Sequence, residues 1–355
     1  MKKYFMYTSL TLMMVCVILS TVGCKSGKTS ILNQEENLGN NIDNVINISN
    51  LSGESGILSG DLNSNDLNSG DELEIKKEQF DIDEQCIYNE SGRIIIVMYH
   101  RFAQVESDEW TRSYDNFYGD LKYLYEHGYR SVSLSDYVNN TMKVPVGCTP
   151  IIFTFDDGSK GQFNLIKNDS GDLVANPNSA VGIMEKFYSE YPDFGLNGTF
   201  FINATGFFQG EGTNAERLNY LINKGFEIGN HTSTHVDFSK ASIETIKKEV
   251  GTVSNLVSDL TNGYNIFALA LPFGISSKEY KSYIASGDYN GRIYDNQVIL
   301  LVGAAPVYSV NNEKTNLLAL PRVRARGGNK AVECDLYYWL DVMEKNPEKK
   351  YTRIS

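Results

Sequence analysis

Residues 151–158 read Ile-Ile-Phe-Thr-Phe-Asp-Asp-Gly. Five β-branched and aromatic residues in a row predict a strand buried on both faces, and the run stops abruptly on two carboxylates and a glycine. Adjacent strand residues point to opposite faces, but a glycine lets the backbone turn there, so both acids can enter one site. One carboxylate could then bind a metal while the other acts as a base. Alone, the same residues also serve turns and helix caps, so the surroundings decide.

Those surroundings repeat the pattern. Arg93–Met98 (RIIIVM) reads as a buried strand that ends in Tyr99-His100. Further strands are expected at Gly198–Asn203, Phe226–Gly229, Ile266–Leu271, Val298–Gly303 and Leu317–Val323. Ser113 is placed to cap a helix carrying Phe117, Leu121, Leu124 and Tyr125 on one face and closing at Gly128. Other helices are expected at Ser179–Tyr188, Thr213–Asn223, Ser242–Leu260, Ser277–Ile284 and Glu333–Glu344. Strands alternating with helices over about 260 residues argue for a parallel sheet, most simply a (β/α) barrel with its chemistry at the C-terminal strand ends. There the chain places His100, Asp156-Asp157, Asn230-His231 with His235, and Pro272-Phe273-Gly274. Three of the four histidines and a carboxylate pair thus converge on one rim. On a helical turn His231 and His235 would face one metal. A zinc protease would need Glu directly after the first histidine, and Thr232 stands there.

TFDDG (Thr154–Gly158), GTFFIN (Gly198–Asn203) and GFEIGNHTSTH (Gly225–His235) resemble, in order and spacing, the polysaccharide deacetylase family, the NodB-like family 4 carbohydrate esterases. The resemblance covers about Arg93 to Glu344. It implies a distorted (β/α)7 barrel, a divalent metal, Zn2+ foremost, held by Asp157, His231 and His235, and Asp156 as general base. It also implies hydrolysis of N-acetyl groups on a hexosamine polysaccharide such as peptidoglycan or poly-N-acetylglucosamine, with an oxyanion held at Pro272-Phe273, through the Phe273 N–H. The family's usual Arg-x-Pro-Tyr/Phe-Gly reads Ala270-Leu271-Pro272-Phe273-Gly274 here, without its arginine, and no histidine follows His235. The circularly permuted branch, similar to extracellular poly-N-acetylglucosamine deacetylases, instead has Tyr-His on its first strand and Pro-Arg on a late one. Tyr99-His100 makes His100 the candidate acid. Pro321-Arg322 offers Arg322 to orient Asp156, with Arg324 and Arg326 as rivals. Two other readings stand beside this one: an O-acetyl esterase acting on acetylated xylan or another glycan, and a catalytically silent wall-binding lipoprotein.

The N-terminal region differs in texture. Lys2 and Lys3, an apolar run from Tyr4 to Val22 and then Gly23-Cys24 read as an export signal over 1–24. Cys24 resembles the lipidated cysteine of bacterial lipoproteins, which would anchor the protein to a membrane outside the cytoplasm. An uncleaved anchor helix is the alternative reading. Residues 25–87 form an acidic Asn/Ser/Gly-rich segment, without aromatic or proline before Phe80, expected to be a disordered tether. Between Lys25 and Phe80 it holds ten acids against four lysines, half of the net charge of −12. The catalytic domain, 88–355, is therefore only mildly acidic, and no electrostatic grip on nucleic acid is expected. No protein partner is indicated. Cys86, Cys148 and Cys334 make no disulfide framework, although Cys86–Cys148 could pair. Ser159–Asn197 is long for a strand-to-helix connection and should border the site, where Tyr188, Tyr191, Phe194 or Trp110 could stack on sugars.

Overall fold

The computed structural model describes residues 89–276, 280–327 and 332–354. The expected signal, 1–24, and tether, 25–87, lie outside the described residues, as does Cys86.

The apolar runs form the strands. Arg93–Tyr99 and Thr149–Asp156 pair in parallel from Ile95↔Ile151 to Tyr99↔Phe155. Thr199–Ile202, Glu227–Asn230, Ala268–Ala270 and Val298–Leu300 follow in that order, each parallel to the last. Leu320 then bonds across to the last of these, its N–H to Ile299 O at 2.9 Å and its O from Leu301 N at 2.8 Å. Three residues on, Val323–Arg324 pairs in parallel with the first strand, Val97↔Val323. Seven parallel segments thus close on themselves as the distorted (β/α)7 barrel. Two short strands flank the ring: Tyr129–Ser131, parallel to the start of Thr149–Asp156, and Val307–Tyr308, antiparallel to Arg93–Ile94.

Period-two alternation divides the core. Ile95, Val97, Ile151, Phe153, Phe155, Phe200 and Ile228 pack outward against helix residues such as Phe117, Leu121, Phe187 and Leu221. Ile94, Ile96, Ile152, Phe201, Ala268, Ala270, Val298 and Leu300 fill the interior. Both faces are buried, which is why the strands read as continuous apolar runs. The main helices span Tyr114–Glu126, Ala180–Glu190, Asn214–Asn223, Ile243–Leu260 and Leu336–Lys345. Ser113, Ser179, Thr213 and Ser242 each cap one by accepting a first-turn N–H, as the sequence pattern predicts. Among the described residues no helix is long and apolar enough to cross a membrane.

Two expectations need correction, and a third segment holds an element the sequence did not disclose. Leu317–Val323 is not one strand: Leu317–Ala319 is a 3-10 turn seeded by the Asn316 side chain accepting Leu318 N, and Pro321 has no N–H for a ladder. The helix expected over Ser277–Ile284 is Lys281–Ala285, with 277–279 outside the described residues. Ser159–Asn197 holds, besides its helix, the hairpin Leu165–Lys167 with Leu173–Ala175.

Candidate active site

Alternation along the strands aims the site. His100 continues the inward series Ile94, Ile96, and Asp156 follows Ile152 with the same parity. Arg322, between inward Leu320 and outward Val323, also points into the barrel. The three meet at its mouth. Arg322, wholly buried, grips both oxygens of buried Asp156, Nη1 to Oδ1 and Nη2 to Oδ2, each at 2.7 Å. It also donates from Nε to Leu301 O at 2.9 Å and from Nη1 to Thr154 Oγ1 at 3.2 Å. The rivals go elsewhere: Arg324 pairs with Asp335 and Glu109, and Arg326 with Glu109. Burial alone would raise the Asp156 carboxyl, but the Arg322 guanidinium overrides it and holds the group well below the ordinary carboxylate range. His100 Nε2 lies 3.9 Å from Asp156 Oδ2. Burial lowers the His100 pKa, with Asp156 and Asp157 opposing, so the imidazole is neutral at pH 7.

Asp157, at φ 79, turns away from the strand and meets two histidines. Its Oδ1 lies 3.5 Å from His231 Nε2 and 3.8 Å from His235 Nε2, and one ligand atom from each of the three lies within 4.8 Å of the others. His231 Nδ1 is 2.9 Å from Ala270 O. That contact requires a proton on Nδ1, so in the neutral ring the Nε2 lone pair faces Asp157, the tautomer a metal ligand needs. His231 is 2% exposed and His235 38%, so the group is rooted inside and open outside. Burial opposes charge on both histidines. The carboxylates nevertheless raise His231, whereas His235, beside His231, stays lowered. Asp157, which burial would raise, is lowered by His231. Two imidazoles and a carboxylate with an open side fit a divalent cation.

The residues 231–235 are not the helical turn that the spacing suggests. Thr232 (φ 64) and His235 (φ 58) are left-handed, and side chains from three elements hold them so. Asn230 Oδ1 accepts Thr232 N at 2.8 Å, while Asn203 Nδ2 donates to His231 O and Thr232 O at 2.8 and 2.9 Å. Glu249, from the helix Ile243–Leu260, accepts Thr234 N at 2.7 Å and Thr234 Oγ1 at 2.9 Å. Asn203 lay in plain view within GTFFIN; nothing local marks Glu249.

His100, Asp156, Asp157, Asn203, His231 and His235 line a cleft of about 620 Å³ together with Arg101, Trp110, Leu271, Phe273 and Val302. Pro272 is buried, and Phe273, at φ 58 and 57% exposed, forms one wall with its ring edge-on to His235. Trp110 forms another, 4.6 Å from His100 between ring centres and 4.8 Å from the Arg324 guanidinium. The other aromatics considered lie apart: Phe194 is buried, and Tyr191 packs on Phe187 and Tyr125. Tyr188 is exposed on Ala180–Glu190 and does not line the cleft.

Residues 143–291 match the family model for polysaccharide deacetylases. The match includes Asp156, Asp157, His231, His235 and Phe273, while His100 and Arg322 reach the site from outside it. Among solved structures, the chain is similar to BC0361, a polysaccharide deacetylase from Bacillus cereus, with 18% identity and a TM-score of 0.52 over 70% of this chain and 68% of that one. BA0330 of Bacillus anthracis, assigned as a polysaccharide deacetylase, gives 19% and 0.50 over 66% of this chain and 65% of that one. The Streptococcus pyogenes deacetylase PplD, solved with acetate, gives 18% and 0.50 over 66% and 92%. The chain thus spans about two thirds of the length of the two Bacillus proteins. No curated protein matches the sequence. The fold and the matched segment are those of polysaccharide deacetylases, as the sequence motifs led us to expect.

Proposed function

We propose that this chain, a hydrolase of the polysaccharide deacetylase type, removes N-acetyl groups from a hexosamine-containing polysaccharide, peptidoglycan or poly-N-acetylglucosamine, outside the cytoplasm. The observation that carries the reading is one cleft holding a three-donor cation group, Asp157, His231 and His235, beside an ionised buried carboxylate, Asp156. A divalent cation held there, Zn2+ foremost for an imidazole-rich set, would polarise the acetyl carbonyl and acidify water.

This chain's own residues supply the rest. Asp156 takes a proton from the attacking water. Gripped on both oxygens by Arg322, it is a weak base in a fixed position, and so depends on that water being acidified. The Phe273 N–H donates to the oxyanion, a contribution of about 10²–10³ in rate for one such donor. His100 protonates the departing amine. Because His100 starts neutral, the proton it delivers is the one given up by the water through Asp156, 3.9 Å away. Acetate and the amine leave, the water's second proton going to the amine as ammonium or to solvent, and both side chains return to their starting protonation.

The location is part of the same proposal: Lys2, Lys3 and the apolar run export the chain, and a lipid on Cys24 holds it at the membrane while 25–87 gives the domain reach. Acetate released from N-acetylglucosamine oligomers by the full chain, zinc-loaded or chelated and beside Asp156→Asn, tests the activity. Release that needs both zinc and Asp156 is expected. No release by a folded, zinc-loaded protein would overturn it; release from acetylated xylan instead would make it an O-acetyl esterase, and silence on both a binding protein.

A further inference from the structure

The registered pairing of the two central strands ends at Tyr99↔Phe155, and His100 and Asp156 stand one residue beyond it. One side chain spans the gap. Gln162 is wholly buried, and its Nε2 donates to His100 O and to Asp156 O. A primary amide carries two hydrogens, and each is spent on one strand end. The other amide atom, Oε1, is buried with no hydrogen-bond partner among the described residues. An orphaned buried acceptor is costly, and a leucine or methionine would fill the volume without it. Packing therefore does not explain an amide at this position, whereas its two donors do.

The backbone fixes where the amide sits. Gln162 N bonds Ser159 O, and Gln162 O accepts Val181 N at the start of the helix Ala180–Glu190, each at 3.0 Å. A Cβ on neighbouring Gly161 would stand 2.2 Å from Phe102 O, so this loop is pressed directly onto the continuation of the first strand. The loop is thus pinned on both sides, and Gln162 has little freedom to follow if either strand end drifts.

We propose that Gln162 is a positioning residue, a staple that sets the distance between His100 and Asp156 and so the proton transfer between them. The inference rests on the deacetylase reading above, in which these two groups exchange the proton. Gln162 is wholly buried, does not line the cleft, and reaches no donor atom of the cation group, so its effect should fall mainly on turnover. Near 4 Å, a displacement of about 1 Å can cost on the order of 10²-fold.

The test is a double-mutant cycle in the full chain, reading acetate release and zinc affinity. Gln162→Met, close in shape but without donors, should lower kcat by about 10–100-fold with KM and zinc affinity within about twofold. Gln162→Glu, which sets an acceptor against two carbonyls, should be at least as severe. In a His100→Ala background the same Gln162→Met change should cost less than about threefold, because the partner it positions is gone. A wild-type-like kcat in Gln162→Met, a full loss repeated in His100→Ala, or zinc affinity falling in step with kcat would each overturn the inference. Should Gln162→Met fail to fold, Gln162→Asn, the same amide one methylene shorter, carries the cycle. Release by the wild type with an unaffected Gln162→Met overturns only the staple; no release by the wild type overturns the reading of the site and the staple with it.

Discussion

Arg322 shows what one residue does at this site. Its two-pronged grip overrides the burial of Asp156 and keeps that carboxyl ionised. Because the folded pKa is depressed, the pair's contribution to stability is complete above the unfolded carboxyl value, about 3.9, and is lost only as pH falls through the lower folded one. Arg322→Leu leaves a buried carboxylate alone, so the protein should lose about 3–5 kcal/mol. Burial then raises the Asp156 pKa, so the base is protonated at higher pH and the acid limb of kcat/KM should move upward. Arg322→Lys keeps the charge without the fork and should fall between. A pH profile of acetate release in the three proteins measures this, and an unmoved acid limb in Arg322→Leu would separate Asp156 from proton abstraction. The sequence offered Arg322 as that partner only through the resemblance of Pro321-Arg322 to a family motif, with Arg324 and Arg326 as rivals, and all three share one parity. Depth separates them: register places Arg324 beside Met98, at the rim, while Arg322 starts two residues deeper and reaches up through the barrel.

At the scale of elements, the segment 231–235 carries the lesson. His-x-x-x-His spacing suggested a helical turn, and both histidines do face one point, but by a different backbone. Two left-handed residues do the turning, held by Asn203 from one strand end, Asn230 from the next and Glu249 from a helix. Local propensity could not disclose this, since two of the three supports are remote in sequence. Outer partners that orient ligands typically control about 10–100-fold of metal affinity. Glu249→Ala should therefore weaken zinc binding by about that factor, read by calorimetry, while His231, anchored separately on Ala270 O, keeps its orientation. Zinc affinity unchanged in Glu249→Ala would mean the segment holds its shape without the clamp. The hairpins Leu165–Ala175 and Ser286–Asp295 were missed for a related reason: they are short, half-exposed and lack the long apolar runs that marked the barrel strands.

At the scale of the whole molecule, the barrel was legible because its seven segments are buried on both faces and therefore conspicuous. Its closure was less so: the seam is a single bridge at Leu320 and a two-residue ladder at Val323–Arg324, too short to announce itself. The cation group is set across this ring. Asp157 comes from the turn after Thr149–Asp156 and the histidines from the turn after Glu227–Asn230, with Thr199–Ile202 lying between the two strands. A cation held by all three would tie next-nearest strands together at the mouth, and the unfolded chain offers no such arrangement. Binding to the native state alone stabilises by about 2.7 kcal/mol at a free concentration 100 times Kd. For a domain of this size each kcal/mol is worth about 2–4 °C. Thermal unfolding should therefore move up by about 5–10 °C with zinc and return with chelator. Asp157→Asn should flatten that response while leaving the unliganded melting point close to wild type, since asparagine tolerates the φ of 79 and the carboxylate it replaces is more than a third exposed. An equal zinc shift in both proteins would place the cation elsewhere than on Asp157, His231 and His235, whatever the acetate assay reads.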